Sequence, residues 1–344
     1  MSGIELPISK SIANRLLMMQ AMHGDPLMEV TCSMPDDVRL LRGALSLISA
    51  NRRQPVTVDC KNCGTALRFL TAYCAQLPGC DVVLDGIERM YHRPIGQLVD
   101  VLVRAGARIE YIGETGFPPL RVYGQTLTKS AVCLKRPLSS QFVSALLLAG
   151  FAVNTNCHSP YIDMTERLID SYSLSPRSVQ IEPDWSAAAF WYEYIALHGG
   201  ELSLPGLHRD SIQGDRVVAD LFKPVGVATV HTDSGVIIRK EGKVSPLPRV
   251  VSFCSCPDLY PAVALTYHCL HKPLIATGTG SLPLKESDRL AAVRLNTKTH
   301  SGKSFGDHRI AMALLAADMP CDDTACISKS YPLFMQQLNQ LPSL

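Results

Sequence analysis

Eight cations and five acids hold most of the chemistry this sequence can offer. Lys10, Arg15, Arg68, Arg93, Lys285, Arg289, Arg309 and Lys329 stand in or beside polar clusters at helix starts, with Asp184, Asp258, Glu286, Asp288 and Asp307 interleaved among them. Arginine presents a planar fork that suits carboxylate and phosphate, whereas lysine is a compact charge. Many cations with a few acids suit a polyanionic substrate whose reaction also moves protons. Taken singly, each cation is as readily half of a surface ion pair. Glu286 and Asp288, taken singly, are ordinary helix N-terminal charges worth well under ~1 kcal/mol. Their recurrence at similar places is the stronger signal.

The elements that must position these charges share one form. Asn62-Cys63-Gly64-Thr65-Ala66-Leu67-Arg68-Phe69-Leu70 turns into an apolar helix. Gly64 there lets a ligand approach the backbone, and Thr65 offers an N-cap hydroxyl. Helix starts with free N–H groups hold anions. The same entry recurs at Ser9-Lys10-Ser11 before Leu16–Met22, at Ser139-Ser140-Gln141-Phe142 before Val143–Val153, and at Asp184-Trp185-Ser186 before Ala187–Leu197. It recurs again at Asp258-Leu259-Tyr260-Pro261 before Ala262–Leu270 and at Asp307-His308-Arg309 before Ile310–Ala317. These six helices are apolar nearly all round, which marks them as buried. Amphipathic helices are expected between them at 36–48, 95–104, 162–172, 212–222, 286–295 and 333–341, with strands at 4–8, 55–59 and 82–86. Strands, a buried helix and an amphipathic helix, present six times, form an internal repeat.

Composition sets the bounds. A chain of 344 residues suits two domains, and a net charge of +2 gives no bulk reason to expect nucleic acid or an acidic membrane surface. No apolar run nears the ~20 residues of a membrane span, so a cytoplasmic protein is expected. The twelve cysteines include a formal C-x-x-C at Cys60 and Cys63, but Cys254-Ser255-Cys256 has the wrong spacing for a zinc knuckle. Buried free thiols are the expectation, with no metal. Ser301-Gly302-Lys303-Ser304 resembles the end of a P-loop, yet Thr297 stands where the first glycine is required, so a mobile polar loop is expected. His308, beside Asp307, reads equally as a general base or as a cap partner.

Specific motifs then converge. N-x-G-T-A-x-R at 62–68, R-P-I-G-x-L-V-D at 93–100, S-S-Q-F at 139–142 and P-Y-I-D-M-T at 160–165 are followed by three more. These are S-I-Q-G-D at 211–215, K-E-S-D-R-L at 285–290 and G-D-H-R-I-A-M at 306–312. In this order they resemble the 5-enolpyruvylshikimate-3-phosphate synthase family over nearly the whole chain. The resemblance implies an α/β fold, a two-domain inside-out α/β barrel of six βαβαββ-type repeats, three per domain. The domains would be 11–182, and 1–10 plus 183–344, with the active site in the cleft between them. It implies transfer of the enolpyruvyl group of phosphoenolpyruvate to the 5-hydroxyl of shikimate 3-phosphate, without metal or organic cofactor, and nothing in the sequence demands more than a monomer.

By position, Lys10, Gly64, Arg93, Gln141, Arg289, Arg309 and Lys329 resemble phosphoenolpyruvate contacts. Ser11, Arg15, Ser139, Ser140, Gln141, Asp258 and Lys285 resemble shikimate 3-phosphate contacts. Asp258 would take the hydroxyl proton and Glu286 protonate the methylene, while Lys10 and Lys329 hold charge on the departing phosphate. Arg68 belongs to its motif, as brace or as contact. His158 stands where the family has a phosphate-binding serine. Connections 150–158, 172–182 and 289–307 are shorter than the family pattern, the last leaving too little chain for the usual helix and hairpin. The alternatives are a UDP-N-acetylglucosamine enolpyruvyl transferase, against which S-S-Q-F and K-E-S-D-R argue, and a weakly active anion-binding relative with a reduced sixth repeat.

Overall fold

A computed structural model describes residues 3–176, 179–242 and 246–341. Part of the short 172–182 connection therefore lies outside the described residues. The chain divides into two compact units, one of residues 1–10, 32–36 and 181–344 and the other of residues 11–31 and 37–180.

The second of these contains nearly all of α1 (Lys10–His23) and α2 (Asp36–Ala50). It continues through β1 (Val56–Asp59), α3 (Gly64–Ala75), β2 (Asp81–Asp85), α4 (Gly96–Arg104), β3 (Arg108–Tyr111) and β4 (Leu120–Tyr123). Then follow β5 (Val132–Cys133), α5 (Ser140–Leu148), β6 (Val153–Asn154) and α6 (Pro160–Leu174). The sheet order β1-β2-β4-β3 has β1 and β2 parallel, as a strand–helix–strand crossover through α3 requires, and antiparallel pairs at β2–β4 and β3–β4. α3 is buried at every position but Thr65 and packs on α5 and on this sheet.

The other unit contains α7 (Trp185–His198), β7 (Glu201–Pro205), α8 (Val218–Phe222), β8 (Val227–Thr232) and β9 (Gly235–Lys240). After these come β10 (Val250–Ser252), α9 (Tyr260–Cys269), β11 (Ile275–Thr277), α10 (Arg289–Thr299), α11 (His308–Ala316) and α12 (Phe334–Leu338). The helices α7, α9 and α11 pack on one another with buried aromatic rings of Phe190, Trp191 and Phe334 among them, so helices form the centre of the unit.

Several expectations change. The full strand–helix–strand–helix–hairpin series is present at β1 to β4, and α7 to β9 follow it without a named first strand. Among the described residues the segments β5-α5-β6-α6 and β10-α9-β11-α10 stop before the hairpin, so their sheets have two strands. The sixth unit keeps its first helix, α11, and a short α12. Residues 300–307 accommodate a turn between α10 and α11, not the two strands of ~5 residues that a hairpin needs. The helix expected at 286–295 is present as α10. Ile4–Ile8 forms only isolated bridges, Gly3 with Ser203 and Ile8 with Pro183, rather than a strand. The 212–222 helix splits into a 3-10 turn at Gly214–Val217 and the short α8. The loop at 301–304 is pinned, since the Asn296 side chain donates to the Lys303 carbonyl and accepts from the Lys303 N–H and the Ser301 hydroxyl.

Candidate functional site

In the 11–180 unit the site grows from the start of α3. Its N-cap is Cys63, whose Sγ accepts from the Ala66 N–H at 3.4 Å, so the expected cap at Thr65 is displaced by two residues. The Thr65 hydroxyl instead accepts from Gln141 Nε2 at 2.9 Å, and Gln141 Oε1 accepts from Arg68 at 2.9 Å. Gln141 thereby joins α3 to α5, whose N-cap Ser139 accepts from the Gln141 N–H. Ser140 is the first residue of that helix. Arg68 also donates to the Pro94 carbonyl at 3.2 Å and lies over the Phe142 ring, which makes it a brace.

Arg93 is 3% exposed and donates through one nitrogen to the Asn62 carbonyl at 3.1 Å, while its Nε is buried without a hydrogen-bond partner. A buried guanidinium with an unfilled donor seeks an anion. A Cβ on Gly64 would stand 2.3 Å from an Arg68 nitrogen and 2.4 Å from an Arg93 nitrogen. Glycine is thus what lets both forks lie against the start of α3.

Arg15 is held by the protein's own groups. It is 3% exposed and donates to Thr165 Oγ1 at 2.7 Å, the Ser11 carbonyl at 2.8 Å, and Ser144 Oγ and the Tyr161 carbonyl at 3.1 Å each. Four of its five donors are engaged within the protein, so Arg15 acts as a strut from α1 to α5 and α6. Ser11 meets it through the backbone. His158 is exposed, and α6 is capped by the neighbouring Ser159, which accepts from the Tyr161 N–H.

In the unit containing 181–344, Asp258 gathers three cations: Arg289 at 2.7 Å, Arg309 at 2.9 Å and Lys285 at 3.1 Å. Burial alone would raise its proton affinity, but Arg309, Lys285 and Arg289 outweigh this and hold the carboxyl well below the usual range. Asp258 was expected to cap α9; its carboxylate is committed to these cations instead, and α9 has no side-chain cap. Arg289, 1% exposed, also donates to Asp307 at 2.8 Å and Glu286 at 2.9 Å. Lys329 lies 3.5 Å from the other Glu286 oxygen. Lys10 belongs to this unit, its N–H donating to Asp184 at 3.3 Å and its charge felt at His308.

Three acids are helix caps. Asp184 accepts from the Ser186 and Ala187 N–H groups, Asp307 from that of Arg309, and Asp288 from that of Ala291. For Asp288 the helix-charge reading therefore holds. His308 is fully buried with neither ring nitrogen hydrogen-bonded, and Asp307 is 3.9 Å away, so it is not a cap partner. Burial, then Lys10 and Arg309, push its ring toward the neutral form.

The use of S-I-Q-G-D was not foreseen. Ser211 Oγ donates to Glu182, Gln213 Nε2 donates to Glu182 and to the Pro183 carbonyl at 2.8 Å, and Gln213 Oε1 accepts from the Trp185 N–H at 3.1 Å. Asp215 accepts from the Ser186 hydroxyl. Alternate residues of the motif clamp the segment that starts α7, and only the i, i+2 spacing of its polar side chains hinted at this.

Among the described residues no helix is long and apolar enough to cross a membrane, and no group of three or more His, Cys, Asp or Glu side chains is arranged to hold a metal ion. Every cysteine is free, and Cys60, Cys63, Cys74, Cys80 and Cys256 are buried.

The family model described as EPSP synthase (3-phosphoshikimate 1-carboxyvinyltransferase) matches residues 30–175 and 170–338. A 3-phosphoshikimate 1-carboxyvinyltransferase of Bacteroides fragilis is 34% identical over 395 aligned positions, covering 98% of this chain and 94% of the relative. That alignment is longer than the 344-residue chain, so stretches of the relative have no counterpart here. One from Vibrio cholerae is 29% identical, covering 98% and 96%. The fold is similar to that of EPSP synthase from Acinetobacter baumannii, with a TM-score of 0.69 at 19% identity over 98% of this chain and 95% of that one.

Proposed function

The chain belongs to the EPSP synthase family, and from that premise we propose how its own residues carry the family's reaction. The enolpyruvyl group of phosphoenolpyruvate is transferred to the 5-hydroxyl of shikimate 3-phosphate, and phosphate is released. The observation that carries the assignment of roles is the convergence of Lys285, Arg289 and Arg309 on Asp258.

In the free protein these cations have the site's own carboxylates as partners. The phosphates and carboxylates of the substrates replace them, with Arg93, Arg289, Arg309, Lys10 and Lys329 on phosphoenolpyruvate and Lys285, Ser139, Ser140 and Gln141 on shikimate 3-phosphate. Asp258 accepts the proton of the 5-hydroxyl as its oxygen bonds to C2 of phosphoenolpyruvate, and Glu286 supplies a proton to C3, which becomes a methyl group. Phosphate then leaves the tetrahedral intermediate with Lys10 and Lys329 holding its charge, and a methyl proton returns to the Glu286 carboxylate as the double bond is restored. The chain works as a monomer in the cytoplasm, where both substrates are soluble small molecules.

Phosphate release tests this, measured with phosphoenolpyruvate and each of two acceptors. Release is expected with shikimate 3-phosphate and not with UDP-N-acetylglucosamine. Release only with the amino-sugar nucleotide would overturn the reading, and release with neither would make the protein an anion-binding relative.

A further inference from the structure

A cavity of about 460 Å³ lies in the unit containing residues 181–344, and none of the residues lining it has a role in the reaction above. Its volume is that of a small-molecule site. Trp185 at the start of α7, Ala219 in α8 and Val227 at the start of β8 give it apolar walls. Arg209, Arg216 and Lys223 line it too, and each is exposed. Arg216 gives one nitrogen to the Arg209 carbonyl at 3.2 Å, which ties the two arginine segments together. Two acids stand among these cations. Glu241 is paired with Arg239 at 3.4 Å, and Asp220 is four residues after Arg216 and three before Lys223. Along one continuous α-helix those spacings bring opposite charges together. Here Arg216 is in the 3-10 turn Gly214–Val217 and Lys223 lies beyond α8, and among the described residues none of the three cations has a carboxylate at ion-pair distance. Cations that only keep a surface solvated need no cavity beside them. The Trp185 side chain is the second mark of a site: it is 1% exposed, and its Nε1–H has no hydrogen-bond partner among the described residues. An unfilled buried donor costs free energy that a bound acceptor recovers.

We propose that this cavity binds a small organic anion, a phosphate monoester or carboxylate carried on a flat apolar body. The planar forks of Arg209 and Arg216 and the compact charge of Lys223 take the anionic group. The apolar body lies against the Trp185 ring and the Ala219 and Val227 side chains, and a polar atom of the ligand accepts the indole N–H. Asp220 and Glu241 disfavour a second anionic group, so the ligand carries its charge at one end. Binding is non-covalent and leaves the substrate-binding cations of the proposed reaction unoccupied.

Phenyl phosphate is the probe and inorganic phosphate its comparison. The chain has two tryptophans, so a nitrogen-15-labelled sample gives two indole N–H resonances, assigned with Trp191→Phe. Trp191 donates to the Tyr331 hydroxyl at 3.2 Å and serves as the internal reference. Titration with phenyl phosphate should shift the Trp185 resonance to saturation and leave that of Trp191 in place. Inorganic phosphate, which lacks the ring, should need about tenfold or more higher concentration for the same occupancy. Lys223→Ala should raise the phenyl phosphate midpoint at least about threefold, and Arg209→Ala serves in its place should that variant fail to fold. Saturating shikimate 3-phosphate should leave the midpoint where it is. A Trp185 resonance that does not move, equal midpoints for the two phosphates, or a midpoint unaltered by the loss of Lys223 or Arg209 overturns the inference. So does a midpoint that rises with shikimate 3-phosphate, since the shift would then be relayed from the substrate site.

Discussion

Glu193 lies in the middle of α7, fully buried among aromatic and aliphatic side chains, and neither carboxyl oxygen has a hydrogen-bond partner. Burial, with a smaller contribution from Cys269, raises its pKa well above the ordinary 4.5. The folded state therefore keeps a proton that the unfolded chain releases. With the folded pKa the higher, stability from this group is fully present below about pH 4.5 and is lost as pH rises toward the folded pKa, at ~1.4 kcal/mol per unit. The loss grows with pH until the folded pKa is passed, and one or two pH units of it are a large fraction of a domain's stability. Glu193→Gln keeps the shape and removes the ionisation. Urea unfolding followed by tryptophan fluorescence reads the right unit, because both tryptophans of the chain, Trp185 and Trp191, are in α7. The variant should match wild type within ~1 kcal/mol at pH 5.0 and be the more stable of the two, by more than at pH 5.0, at pH 7.5. An equal difference at both pH values, or a variant less stable at pH 7.5, refutes the reasoning.

Arg289→Ala leaves Asp258, Asp307 and Glu286 without their shared partner and should destabilise the same unit by ~3–5 kcal/mol in that unfolding assay; a loss under ~1 kcal/mol would mean the network is solvated. Glu286→Gln should bind both substrates with little change in Kd and lose ~100-fold or more in kcat, with turnover near wild type removing Glu286 from the mechanism. Arg93→Lys gives up the planar fork, so KM for phosphoenolpyruvate should rise about tenfold with kcat within about threefold. A fall in kcat at constant KM would place Arg93 outside ground-state binding.

What the sequence made legible was local. The caps Ser139, Asp184 and Asp307 were readable because a polar side chain and the N–H groups it serves are two or three residues apart. Cys63 was not, since a thiol is a weak acceptor and an unusual cap. The strut role of Arg15 depends on Ser144 and Thr165, well over a hundred residues away, and no periodicity encodes that. Glu193 stayed hidden inside a run that reads as uniformly apolar. The clamp at 211–215 was visible as a motif but not as a clamp, because its partners at 182–186 are fixed only by the fold. The missing hairpins followed from connection length, and the pattern at 286–295 announced α10. Its Asp288 cap and its seat on α9 suffice to form it without strands beyond it.

The two repeats that end after their second helix bear on how this architecture can be edited. Both keep the strand pair and the buried helix with its polar start, and both omit only the outermost piece of the unit. The hairpin is therefore a detachable margin, and the helix start is the part a repeat cannot give up. The short joins at 175–184 and 300–307 are accordingly the places to graft foreign peptide: a two-stranded insert there would extend an existing sheet edge and leave the charged helix starts where they are.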